Sequence, residues 1–198
     1  MIDRARIVLF LVAMAAASSA ALGETTQLVS WSENVQLTWN QFLGTVPSTA
    51  TPNDAAAIYM ELKWHTRHDG KRDGSGWVGY PMEVIVSNVM NPQLSWARPG
   101  SRTAAALRHE TYHFHLNEVY RRRLEAALLA VRVCGKTVEE IKSLLDQQVH
   151  QVADTWLFRA KSVQDTYETE TDHGNNAAAQ LSWEQKIDAW LANPLLAP

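Results

Sequence analysis

The chain has 198 residues, 46% hydrophobic and 20% charged, with a formal net charge of −3 at neutral pH. So small a charge excludes the electrostatic footprint of a nucleic-acid binder and gives no pull toward an anionic membrane surface. The single cysteine, Cys134, excludes an intramolecular disulfide, which leaves packing and a bound metal as the sources of stability.

Taken in order, the N-terminus has Arg4 and Arg6, an apolar run from Ile7 to Ala17, and small residues through Gly23. A basic start, a short apolar stretch and a small-residue end predict a secretory signal peptide over residues 1–23. Residues 24–198 are then a single domain exported to the periplasm or beyond. The apolar run falls short of the roughly 20 residues a spanning helix needs, so no stable membrane insertion is expected.

From Leu28 to Arg98 the pattern is that of strands. Val35, Leu37 and Trp39 alternate with polar residues, and so do Ile58, Met60, Leu62 and Trp64. The Asp69-Gly70 and Asp73-Gly74 pairs predict a hairpin loop over His68–Gly76. The runs Met82–Val86 and Leu94–Trp96 complete a small antiparallel sheet. Beyond Ser101 the period becomes helical. The spacing predicts a long helix from an N-cap at Ser101 to a stop at Gly135, and a second from Thr137, where Thr137-x-x-Glu140 forms a capping box, to Gly174. A third, short helix is expected after Ser182 and before Pro194. A sheet followed by helices defines the class as α+β.

The first of these helices carries His109-Glu110-Thr111-Tyr112-His113. Four helical residues advance about 400°, so the two histidines project from one face and can share a metal ion, with Glu110 flanking it. Imidazole nitrogens suit Zn2+, and two of them leave room for a third protein ligand and a water. The competing explanation is a pair of core histidines. It is the weaker one, since two inward imidazoles beside a carboxylate each need a polar partner.

For the third ligand, the segment Tyr167–Gly174 is dense in candidates. His173 is favoured because Gly174 frees the backbone after it; Glu170, three residues earlier on the same face, is the alternative. The same acidic stretch also reads as a solvated helix end. A straight hairpin about Gly135 would leave His113 and His173 roughly 24 Å apart along the axis at 1.5 Å per residue, so a bend is expected between Leu144 and Val149.

An export signal, His109-Glu110-x-x-His113-Phe114 and Tyr167-Glu168-x-x-Thr171-x-His173-Gly174 together resemble the bacterial family called domain of unknown function 922, described as predicted secreted zinc-dependent proteases. Leu37–Pro47 is similar to that family's opening strand motif, and Glu118 and Arg122 fall where its active-site helix has an acid and an arginine. Two departures are His115 in place of an acid and Glu168 in place of aspartate. The resemblance implies a zincin-like metallopeptidase domain whose active site includes the segment ending at Gly174.

The expected chemistry is hydrolysis of a peptide or protein substrate. Zn2+ sits on His109, His113 and His173, Glu110 is the general base, and Tyr167 is a candidate donor to the oxyanion. Two alternatives are a non-catalytic zinc-binding envelope protein and a protein-interaction module built on the eight tryptophans.

Overall fold

The structure is a computed structural model describing residues 27–51 and 54–198; the expected signal peptide lies outside the described residues. The elements run β1 (Val29–Ser30), β2 (Ala56–Ala57), β3 (Met60–Asp73), β4 (Gly76–Met90), β5 (Trp96–Ala97), α1 (Ala104–Leu129), β6 (Val133–Gly135), α2 (Val138–Glu170) and α3 (Ala177–Ala192). The class is α+β, as the change of period indicates. No helix among the described residues is long and apolar enough to cross a membrane.

The sheet is built on one long antiparallel hairpin, β3 against β4, with β1 and β6 pairing separate stretches of β4. Met60 faces Met90 and Trp64 faces Val86 across it, presenting an apolar face. That face packs on Leu124 and Leu128 of α1 and on Val149 and Ala153 of α2. β2 and β5 form a separate two-stranded ribbon.

The hairpin turn is tighter than the sequence suggests. Strand pairing continues to Asp73 and resumes at Gly76, so Asp69 and Gly70 lie within β3. Gly70 and Gly79 sit opposite one another, and α2 lies on them: a Cβ at Gly79 would come within 2.8 Å of Leu145 Cδ1, and one at Gly70 within 2.4 Å of Ile141 Cδ1. The first Asp-Gly pair therefore serves close helix–sheet approach, and Gly74, at φ +59°, takes the turn. Val35–Trp39 does not form the expected strand. Leu37 and Phe42 instead bury against Met60, Met90 and Phe114 from an irregular segment that ends in a 3-10 turn at Trp39–Gln41.

The helix ends are also corrected. Thr103, not Ser101, caps α1 by accepting the Ala106 N–H. α1 stops at Leu129, and Gly135, expected as its stop, ends β6, paired opposite Trp77. Cys134 is accordingly an exposed strand residue. Thr137 does cap α2, accepting the Glu140 N–H. Asn176 caps α3, which therefore starts about one and a half turns earlier than Ser182 implied.

The extended link between α1 and α2 removes the need for a bend. Leu128 and Leu124 pack with Val149 and Ala153, Tyr120 meets Trp156, His113 meets Gln164 and His109 meets Glu168, a constant antiparallel register. In that register the start of α2 overhangs the end of α1 by roughly 15 Å at 1.5 Å per residue. Residues 130–137, at up to about 3.3 Å each, span it readily. α2 runs unbroken from Val138 to Glu170.

Candidate metal centre

The register that packs the two long helices also assembles the site. α1 presents His109 and His113 one turn apart, with ring centroids 4.6 Å apart and nearly perpendicular planes. Near its C-terminus α2 presents Gln164, Tyr167 and Glu168 to them. Glu168 Oε2 lies 2.9 Å from each Nε2, and the two Nε2 atoms are 3.1 Å apart. Among the described residues these three form the one group whose ligand atoms all lie within 4.8 Å of one another.

The opposite nitrogens fix the tautomers. His109 Nδ1 lies 3.0 Å from Gln180 Oε1, and His113 Nδ1 lies 2.6 Å from Gln164 Oε1. Both amides are oriented by their nitrogens: Gln180 Nε2 donates to Tyr167 Oη and Glu184 Oε1, and Gln164 Nε2 donates to the His113 carbonyl. Their oxygens can only accept, so each Nδ1 carries the proton and donates it. In the neutral imidazole, Nε2 is then a bare lone pair. Two nitrogen lone pairs and a carboxylate oxygen thus converge with no donor among them. A cation satisfies all three, and this pattern of Nδ1–H anchored to an amide with Nε2 turned to a shared point is how histidine ligates zinc. The donor set fits Zn2+.

Burial acts to raise the Glu168 carboxyl, but with the His109 and His113 imidazoles protonated and donating to it their hydrogen bonds and charge overcome burial and hold the group well below the usual carboxylate range. With the imidazoles neutral, a cation between the three takes over that role. Glu110 is buried, and its Oε2 accepts the Ile58 N–H at 2.9 Å. Burial pushes its carboxyl up to about 7, with the nearby His109 opposing the rise and Glu168 adding to it. A carboxyl poised there can accept a proton near neutral pH and give it up again.

Tyr167 is fully buried and serves as the back wall of the site. Its ring stacks on His109 at 4.8 Å and meets His113 edge-on at 4.6 Å. The hydroxyl donates to the His109 carbonyl at 3.2 Å and accepts from Gln180. Burial pushes the phenol far above its ordinary pKa. In this arrangement the tyrosine ring steadies the imidazoles, and its hydroxyl is bonded to the His109 backbone carbonyl and Gln180.

The two sequence candidates for a third ligand lie elsewhere. Glu170 Oε2 accepts the Trp183 Nε1–H at 2.7 Å, facing α3. His173 approaches the site through Glu168: its Nδ1 is 2.5 Å from Glu168 Oε1. Glu168 takes the place between the imidazoles that the spacing assigned to His173. The backbone explains this, because Asp172, His173 and Gly174 are successively left-handed at φ 50°, 55° and 81°. The helix is over before His173, so the three-residue spacing from Glu170 no longer places a side chain on the α2 face. Gly174 is needed for a second reason. A Cβ there would lie 3.0 Å from His109 Cγ.

Glu168 entered the sequence reading only within the family-like motif and not as a ligand, and Gln164 and Gln180 did not enter it. Gln164 and Glu168 are four apart, and on a helix continuous to Glu170 that spacing puts both on one face. Gln180 had no comparable signal, since it preceded the expected start of its helix. Comparison with protein-family models, curated proteins and solved structures finds no match for this chain.

Proposed function

We propose that the protein is a zinc-dependent hydrolase of the zincin type, exported from the cell, that cleaves peptide bonds. The observation that carries this is the convergence of His109 Nε2, His113 Nε2 and Glu168 Oε2 on one point, with each imidazole anchored behind by a glutamine. A structural zinc site uses four protein ligands, whereas a catalytic one uses three and keeps a position open. The cluster of three among the described residues favours the catalytic kind.

When bound, zinc supplies Lewis acidity that acidifies a water and polarises a carbonyl. The residues of the chain do the rest. Glu110, next to His109 in the sequence and pinned through Oε2 by the Ile58 amide, takes a proton from the attacking water and delivers it to the departing amine. Tyr167, Gln164 and Gln180 hold the imidazoles in the ligating tautomer and orientation. β3 begins two residues after Ile58 and, among the described residues, pairs only with β4, so its other edge offers a template on which an extended peptide can add near the base.

A chelator is expected to abolish hydrolysis of an unfolded protein substrate, and added zinc to restore it. Hydrolysis that survives full removal of metal contradicts the proposal.

A further inference from the structure

Glu168 has two carboxylate oxygens, and the structure treats them differently. Oε2 faces both imidazole Nε2 atoms, whereas Oε1 is met by His173 Nδ1 at 2.5 Å. The chain goes to some length to place that ring. α2 ends at Glu170, Thr171 caps it, and the Thr171 hydroxyl donates back to the Tyr167 carbonyl at 2.7 Å. Two non-glycine residues then adopt left-handed backbone, Asp172 at φ 50° and His173 at φ 55°. That conformation is uncommon outside glycine, although aspartate and histidine are among the residues that adopt it more readily. The His173 N–H returns to the Glu168 carbonyl at 3.1 Å, and the Asn176 N–H to the Thr171 carbonyl at 2.8 Å, closing the turn. One turn thus brings His173 onto Glu168 and Gly174 onto the His109 ring.

We propose that His173 is a positioning residue for the metal centre: by donating Nδ1–H to Glu168 Oε1 it holds the carboxylate so that Oε2 alone is offered to the ion. This rests on the ligand set proposed above and adds the control of its coordination. A free carboxylate beside a divalent ion can swing to share both oxygens, which raises the coordination number and consumes the position a water needs. A donor fixed on Oε1 opposes that swing. His173 is two-fifths exposed on its side chain, so it is supported by the turn and not by enclosure. Hydrogen bonds of this kind to a ligating carboxylate are worth about 10–100-fold in metal affinity.

The test compares the parent with His173→Ala, His173→Asn and Glu168→Ala, each stripped and titrated with zinc, then loaded with cobalt(II) for its visible spectrum. His173→Ala is expected to bind one zinc about 10–100-fold more weakly, and its cobalt form to lose d–d intensity as the coordination number rises. His173→Asn, whose amide N–H lies near the position of Nδ1–H, is expected to recover most of both. An unchanged affinity and spectrum in His173→Ala overturns the positioning role. So does a loss of zinc as complete as in Glu168→Ala, with no recovery by asparagine, since His173 would then be a ligand itself. Full zinc binding by Glu168→Ala overturns the ligand set instead and separates that failure from this one.

Discussion

Glu168→Ala is expected to lose stoichiometric zinc binding, while Glu170→Ala, two residues on, keeps it. The first substitution removes the single oxygen that faces both imidazoles. Structural zinc sites bind with roughly 10–16 kcal/mol, so one ligand of three or four accounts for about 3–4 kcal/mol, an affinity loss of at least ~10²-fold. Glu170 bonds Trp183 on α3, so its loss touches the packing of α3 and not the metal. Isothermal titration of the stripped variants with zinc distinguishes the two. Loss only with Glu170→Ala would return the third ligand to Glu170, and equal effects from both would deny Glu168 its distinct role.

Glu110→Gln has the largest expected effect on rate: a fall of about 10²–10⁴-fold in hydrolysis with zinc affinity within a few-fold of the parent. The amide keeps an oxygen for the Ile58 N–H and fits the same buried space, so fold and metal are preserved and only proton transfer is lost. The same substitution is expected to stabilise the metal-free protein above neutral pH. Burial raises the folded carboxyl from its ordinary 4.5 to about 7, so the folded state binds the proton more tightly than the unfolded chain. The Glu110 contribution to stability is therefore fully present below about 4.5 and declines as pH rises toward 7, by an amount on the order of 3 kcal/mol. Glutamine cannot ionise and lacks that decline. Thermal melts at pH 8 should place the variant roughly 6–12 °C above the parent, with little difference near pH 5. Retained hydrolysis in the variant, or identical melts at both pH values, would deny Glu110 its role as a buried base.

The motif on α1 was legible in the sequence because it depends on one local quantity, the 3.6-residue period, and His109 and His113 do project to one point. What the sequence concealed lies at the places where tertiary contacts override local signals. Nothing between Leu129 and Gly135 breaks a helix, so only the pairing of Val133–Gly135 with β4 reveals that the chain is extended there. That one strand sets the offset between the long helices, and so decides that residue 168, not 173, reaches His109. Gly70 carried the composition of a turn but serves the approach of Ile141. Left-handed backbone at Asp172 and His173 has no sequence signature comparable to glycine, yet it moves His173 off the helix face and onto Glu168. Gln180 was out of reach for a different reason: its position depends on α3 starting at Ala177, and the Asn176 cap was masked by a more familiar capping pattern at Ser182.

The most direct test of a three-ligand zinc centre is the zinc-edge X-ray absorption spectrum of the purified protein after zinc loading. The proposed centre predicts one zinc per chain with two imidazole nitrogens at about 2.0–2.1 Å and carboxylate and water oxygens at about 2.0–2.2 Å. A fit requiring three imidazoles and no carboxylate, or a protein that takes up no zinc at all, would contradict the centre described here.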